Sequence, residues 1–164
     1  MASGDEKQRF GTSTTITITL ASMSGVLGTA QESTAFDFGT DLFLDALVYL
    51  QIKLAVGAPI NDRLVNVYAY GSEDGTNFTD NATGANAAIV LRNPTNLVKI
   101  GSILCPDAGA LTYKSHPMAL SAAFGGLIPR KAGIVVENRT GLAFDATAGN
   151  FAAAYTGIFR NVAP

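Results

Sequence analysis

The sequence has almost none of the residues on which covalent cross-linking, metal binding and acid–base catalysis depend. Cys105 is the single cysteine, His116 the single histidine, and there is no tryptophan. One cysteine excludes an internal disulfide and any zinc site built on cysteine pairs, so Cys105 reads as a small buried hydrophobe. Charge is scarce too: Asp, Glu, Lys and Arg make up 15% of 164 residues, and the formal net charge is -2. That balance offers nothing to draw the chain toward phosphates, so nucleic acid is not an expected partner. No apolar run approaches the length that crosses a bilayer, and residues 1–7 are polar and of mixed charge, with no apolar leader core. The chain is therefore expected to be made in a cytoplasm and kept there, or packed into something assembled there, without membrane contact.

What the chain does have is apolar content, 48%, and 17 glycines. Its length suits one domain that buries about two-thirds of its unfolded surface. High apolar content with so little charge fits a large β-sandwich core, and it fits equally a surface that assembly removes from water.

The apolar residues repeat with a period of two. Over 44–54, Leu44, Ala46, Val48, Leu50, Ile52 and Leu54 share one face, while Asp45, Tyr49, Gln51 and Lys53 share the other. Over 14–20, Ile16, Ile18 and Leu20 alternate with threonines, which suits a pleated surface. Further strands are predicted at 64–70, 87–91, 98–104, 111–114, 117–123, 133–137 and 151–159, each bounded by Gly, Pro, Asn or Asp. Segment 36–43 is interrupted by Gly39 and reads as a loop or short strand. The predicted fold class is all-β: an antiparallel β-sandwich of about eight strands, jelly-roll-like, with an immunoglobulin-like sandwich as the alternative. Residues 1–11 are expected to form a flexible N-terminal arm, 12–160 the single sandwich domain, and 161–164 a short tail.

Each candidate for chemistry competes with a plainer reading. His116, with Ser115 beside it and Asp107 upstream, has the residue types of a triad, but strand neighbours point to opposite faces and Pro117 favours an extended backbone. It is read as a surface or interface histidine. Asp37, Asp41 and Asp45 would align only on a helix. Asp74-Gly75-Thr76-Asn77 has the oxygen donors of a calcium loop but also the Asp-Gly dipeptide of a tight hairpin, and it is read as the turn. Phe124-Gly125-Gly126-Leu127 lacks the Lys-Ser/Thr of a phosphate loop. The glycosylation patterns at Asn77, Asn81 and Asn138 are chance matches in turn-rich sequence.

Several segments together carry a resemblance. They are Asp45-Ala46-Leu47-Val48; Val65-Asn66-Val67-Tyr68-Ala69-Tyr70-Gly71-Ser72 with Asp74-Gly75-Thr76-Asn77-Phe78; Asn93-Pro94-Thr95-Asn96-Leu97; Phe124 through Lys131; and Gly133-Ile134-Val135-Val136-Glu137-Asn138. In this order, over roughly residues 35–160, the chain resembles small structural proteins of tailed bacteriophages. The resemblance implies a capsid decoration, or cement, protein: a jelly-roll subunit, often trimeric, that sits on the outer shell of the virion and bridges neighbouring major capsid proteins. It implies no enzyme activity and no cofactor, and synthesis in the host bacterial cytoplasm.

Three groups are expected to supply contacts. The first is the arm, with Lys7, Arg9 and Phe10, laid across an adjacent subunit. The second is segment 124–131, with Phe124, Leu127, Arg130 and Lys131 facing an acidic capsid surface. The third is the pair Leu142 and Phe144, in a glycine-rich stretch that is not expected to bury both. The alternatives are a carbohydrate-binding module stacking sugars on Tyr68, Tyr70, Phe78 or Tyr113, a tail, neck or baseplate component, and an esterase or lyase on the same scaffold.

Overall fold

In a computed structural model the chain folds as two antiparallel sheets packed face to face, and the structure describes residues 6–39, 43–60 and 62–162. The strands are β1 (Glu6–Thr15), β2 (Thr29–Glu32), β3 (Phe36–Asp37), β4 (Asp45–Lys53), β5 (Leu64–Ser72), β6 (Ala87–Val90), β7 (Val98–Leu104), β8 (Thr112–Lys114), β9 (Met118–Ala119), β10 (Lys131–Asn138) and β11 (Ala152–Val162). The first sheet runs β1-β11-β4-β8, with β9 also on β4; the second runs β6-β2-β10-β5-β7, with β3 on β10. The predicted β-sandwich is therefore the fold, and the chain crosses between sheets at most of its connections.

Side-chain alternation decides which face each strand buries. In β4 the residues Ala46, Val48, Leu50 and Ile52, with Leu54 just beyond, are fully buried, as their spacing predicts. They meet Val65, Val67 and Ala69 of β5, Ala132, Ile134 and Val136 of β10, and Ala153 and Tyr155 of β11 in one core. Cys105 is buried in that core, and burial pushes its thiol up to about 12. Strand β10 is buried on both faces, because a second apolar cluster of Ala30, Tyr70, Ile89, Leu97 and Val135 covers the outside of its sheet.

The connection 73–97 closes over that outer face. Glu32, 1% exposed, accepts hydrogen bonds from the Thr83 N–H (2.7 Å), the Thr83 hydroxyl (3.3 Å) and the Gly84 N–H. Tyr70 donates its hydroxyl to the Ser33 carbonyl at 2.6 Å, and its ring lies where a side chain on Gly133 would stand.

The boundaries depart from expectation at both termini. Residues 6–11 belong to β1 and pair with β11, so the described part of the expected arm is an edge strand; residues 1–5 lie outside the described residues. Both faces of β1 are open at its start, so no apolar alternation betrays it. The expected tail likewise begins inside β11, which reaches Val162, and 163–164 lie outside the described residues. The predicted strand at 14–20 leaves the ladder after Thr15 and crosses between sheets, with Ile16 N–H on the Ala153 carbonyl (2.8 Å) and the Thr17 carbonyl accepting from Thr34 (2.9 Å). Beyond β9, the predicted strand 117–123 becomes a 3-10 turn, Ser121–Phe124.

Candidate functional site

The strand registers place the connections at two ends of the sandwich. The connection after β4, described at 54–60 and 62–63, gathers with 105–111, 139–151 and the loop before β2 at one end; connections 73–86 and 121–130, with Phe38, Phe43 and Leu44, gather at the other.

The 54–63 end is tied together by backbone hydrogen bonds. Ile60 N–H donates to the Thr140 carbonyl (2.7 Å), Ala55 to Ala143 (3.0 Å), Gly109 to Gly57 (2.6 Å) and Phe144 to Met23 (2.9 Å). Asn138 braces the same loops, donating its side-chain amide to the Leu142 carbonyl (2.9 Å) and accepting from the Thr140 hydroxyl (2.7 Å). With the backbone fixed, several large aliphatic side chains have no route inward. Val56 is 83% exposed, Leu104 61% and Ile60 57%, and Val26, Leu27 and Leu111 are also exposed. Six of the exposed large hydrophobic residues thus belong to loops and strand ends at this end, and Phe10, Leu44, Val90, Val98 and Leu127 are exposed elsewhere.

Beside this end, on the outer face of the second sheet, lies a polar cluster. Glu137, 3% exposed, accepts from the Asn66 amide (3.0 Å), the Tyr68 hydroxyl (3.0 Å) and the Arg139 guanidinium (3.0 Å). Arg139 also reaches Asp62 at 2.5 Å, and Ser102 donates to Asn66 at 2.9 Å. Burial, then the charge of Glu137, pushes the Tyr68 pKa up. The hydroxyl is thereby kept protonated as the donor to Glu137.

No family model, no curated protein and no solved structure matches this chain.

The nine contact residues expected from sequence fall in three separate places. Lys7, Arg9 and Phe10 are exposed on β1, and the Arg9 guanidinium lies 5.9 Å from the Phe159 ring centre. At the 121–130 end, Leu127 is 78% exposed and Arg130 is exposed, whereas Phe124 is half-buried against the core. Lys131 donates to the Gly75 carbonyl at 3.1 Å and sits 3.9 Å from Asp37. At the 54–63 end, Phe144 is 2% exposed and belongs to the core, a correction to its reading as a contact residue; Leu142 packs against the same core, half-buried. Gly141 there takes a left-handed backbone conformation, φ 71°, and the Phe144 N–H pairs with the Met23 carbonyl. Sequence reasoning missed Val26, Leu27, Val56, Ile60, Leu104 and Leu111. A signal for three of them existed: Val26-Leu27-Gly28 and Ala55-Val56-Gly57 put bulky apolar residues where a chain turns.

The residues weighed for chemistry lie apart in the structure. Ser115 accepts from the Leu50 N–H (3.0 Å), Asp107 uses its carbonyl to accept from Tyr113 (3.2 Å), and among the described residues His116 makes no hydrogen bond or ion pair. Asp37 accepts from Gly39 (2.8 Å) and Asp45 from Ala46 and Ser121, while Asp41 lies outside the described residues. Among the described residues no group of three or more His, Cys, Asp or Glu side chains is placed to hold a metal ion. The Asp74 carboxylate accepts from Ser72, Thr76 and Asn77, as a turn does; backbone hydrogen bonds from Asn77 and Thr76 hold its pKa well below the usual carboxylate value. Tyr70 is fully buried and Phe78 packs edge-on against it at 5.6 Å, so the four rings named for sugar stacking do not share an open platform.

Proposed function

We propose that this protein is a non-enzymatic virion subunit of a tailed bacteriophage, a decoration protein that binds the outer capsid shell and bridges major capsid proteins. The observation that carries the reading is the 54–63 end, where hydrogen-bonded loops hold Val26, Leu27, Val56, Ile60, Leu104 and Leu111 outward. Burying one such side chain is worth about 1.5–3 kcal/mol, so even a few of them in a shell depression would give stable binding without any reaction. The order β1-β11-β4-β8 in one sheet and β2-β10-β5-β7 in the other, where β6 adds a fifth strand beside β2, supports reading the sandwich as a jelly roll. The resemblance to phage particle proteins supports the location on the head and a trimeric assembly.

The test is cosedimentation of purified protein with bare capsids of the parent phage, followed by cryo-microscopy of the pellet. Saturable outer-shell density and greater heat resistance of the decorated particles are expected. Density at the tail or neck instead would keep a structural role and discard decoration; absence from virions altogether would discard the virion reading.

A further inference from the structure

The two long sides of the sandwich are closed differently. On one side β7 lies against β8, β9 and the 3-10 turn at 121–124. On the other stands β1, the edge of its sheet, and among the described residues no strand pairs with its outer edge. An open edge presents unpaired N–H and C=O groups to any extended chain, and edges that must stay single are guarded by charges or bulges. The first half of β1 has both: Glu6, Lys7 and Arg9, then a register shift between Phe10 and Ser13. The second half has neither. Thr12, Ser13, Thr14 and Thr15 are all exposed, and residues 10–31 contain no Asp, Glu, Lys, Arg or His. Residues 146–159, which include the part of β11 paired with this half, contain none either. The groove of about 600 Å³ alongside, walled by 15–21, Asn86, Ala148 and 151–154, is therefore uncharged throughout.

The ladder with β11 sets which backbone groups of this half face outward. Ile16 donates its N–H inward to the Ala153 carbonyl (2.8 Å), and Thr14 lies opposite Tyr155 in the same ladder. Successive residues of a strand turn their N–H and C=O groups to opposite edges, so Ser13 and Thr15 turn theirs outward. Placed one on each side of Thr14, they match a second copy of themselves. In antiparallel register about a two-fold axis at Thr14, Ser13 of one copy faces Thr15 of the other, each such pair exchanging both of its hydrogen bonds. Thr14 then faces its own counterpart.

We propose that two copies of this chain pair edge to edge through residues 12–15 of β1, joining their first sheets into one continuous sheet across a two-fold axis. The occupant is a second copy because an isologous contact sets each residue near the axis against its own kind, where charge repels itself. Centred on Gln8 instead, the pairing would set Lys7 against Arg9. The half of the edge without charge is the half that can meet itself, and its outward groups stand in self-matching register. A foreign strand would impose neither condition. The contact uses a side of the sandwich and leaves the 54–63 end free, so it can join single subunits or trimers, and it doubles either.

Sedimentation equilibrium of the full-length protein tests it. An even number of copies is expected, with a dissociation constant nearly unchanged between ~0.1 M and ~1 M salt, since no charges meet across the axis. Thr14→Lys and Thr14→Glu each place like charges on the axis and should each weaken the pairing step at least ~10-fold. An equal mixture of the two variants should restore it, because Lys then faces Glu. Thr14 is exposed, so both variants should keep the native far-ultraviolet circular dichroism, and Leu127→Lys, at the 121–130 end, should pair as the native chain does. A monomer at all concentrations, an odd-numbered species, association that Thr14→Lys leaves intact, or a mixture that fails to restore pairing would overturn the proposal. Shell binding by a chain that never pairs would overturn it and leave the proposed function standing.

Discussion

Phe144 and Leu127 show how little single residues in turn-rich sequence disclose about their surroundings. Both are bulky, apolar and close to glycines, yet one is 2% and the other 78% exposed. The difference arises from long-range pairing: Phe144 N–H reaches the Met23 carbonyl (2.9 Å), and the residue bridges to Leu54, partners that no local window contains. Phe144→Ala is therefore expected to cost about 3–5 kcal/mol in urea unfolding, through lost burial and a cavity. Leu127→Ala should stay within about 0.5 kcal/mol. Gly133 presents the opposite case, where the absent side chain is the functional feature. Its Cβ would enter the Tyr70 ring, which is packed beneath the 73–97 connection, so Gly133→Ala should cost about 1–3 kcal/mol by overpacking. A Tm comparison against an exposed Gly149→Ala, which meets no neighbour, checks the cause.

At the scale of elements, strands with one covered face were legible and those without were not. Period-two apolar residues located β4, β5 and β7 to within a few residues, and the unbroken Ile134-Val135-Val136 run marked β10, which is covered on both sides. Strand β2 escaped because its outward residues are Ala30 and the buried Glu32, so its alternation is not apolar against polar. Glu32 is also what fastens the 73–97 connection, and Glu32→Ala leaves the Thr83 and Gly84 N–H groups without their acceptor. Amide exchange across 78–92 should then rise, with about 1–3 kcal/mol of stability lost. The same connection is acid-sensitive. Burial works against the Asp80 carboxylate, but hydrogen bonds from Thr95 (2.8 Å) and Asn96 (3.1 Å) and the Arg92 charge (2.8 Å) hold its pKa below the ordinary value. A carboxylate with a lowered folded pKa stabilises fully above its unfolded value, about 3.9, and loses that contribution as pH falls through the folded one. The Tm gap between the native chain and Asp80→Asn should accordingly be widest near neutral pH and narrow below about pH 4.

For the molecule as a whole, the two ends of the sandwich differ in a way that the linear sequence conceals. The aliphatic residues of the 54–63 end lie on separate connections, and only the fold brings them to one end, so sequence reasoning reached this end through Leu142 and Phe144, which pack inward, and not through Val26, Leu27, Val56, Ile60, Leu104 and Leu111. The opposite end carries exposed Arg130 and Lys131 near Asp37 around one cleft, with Leu127 and Leu44 as its exposed aliphatics. If shell binding is driven by burial of aliphatic surface, it should respond to charge at one end and not at the other. Val56 and Ile60 are 83% and 57% exposed, so replacing both by Asp should leave the isolated fold nearly as stable, because exposed substitutions usually cost within about 0.5 kcal/mol each. On the shell, those carboxylates would have to be desolvated without partners, which is far more costly than losing the aliphatic contact alone. Cosedimentation with bare capsids is expected to fall at least ~10-fold for Val56→Asp/Ile60→Asp and to hold for Arg130→Glu. The reverse pattern would move the shell contact to the 121–130 end and require the aliphatic end to face something else.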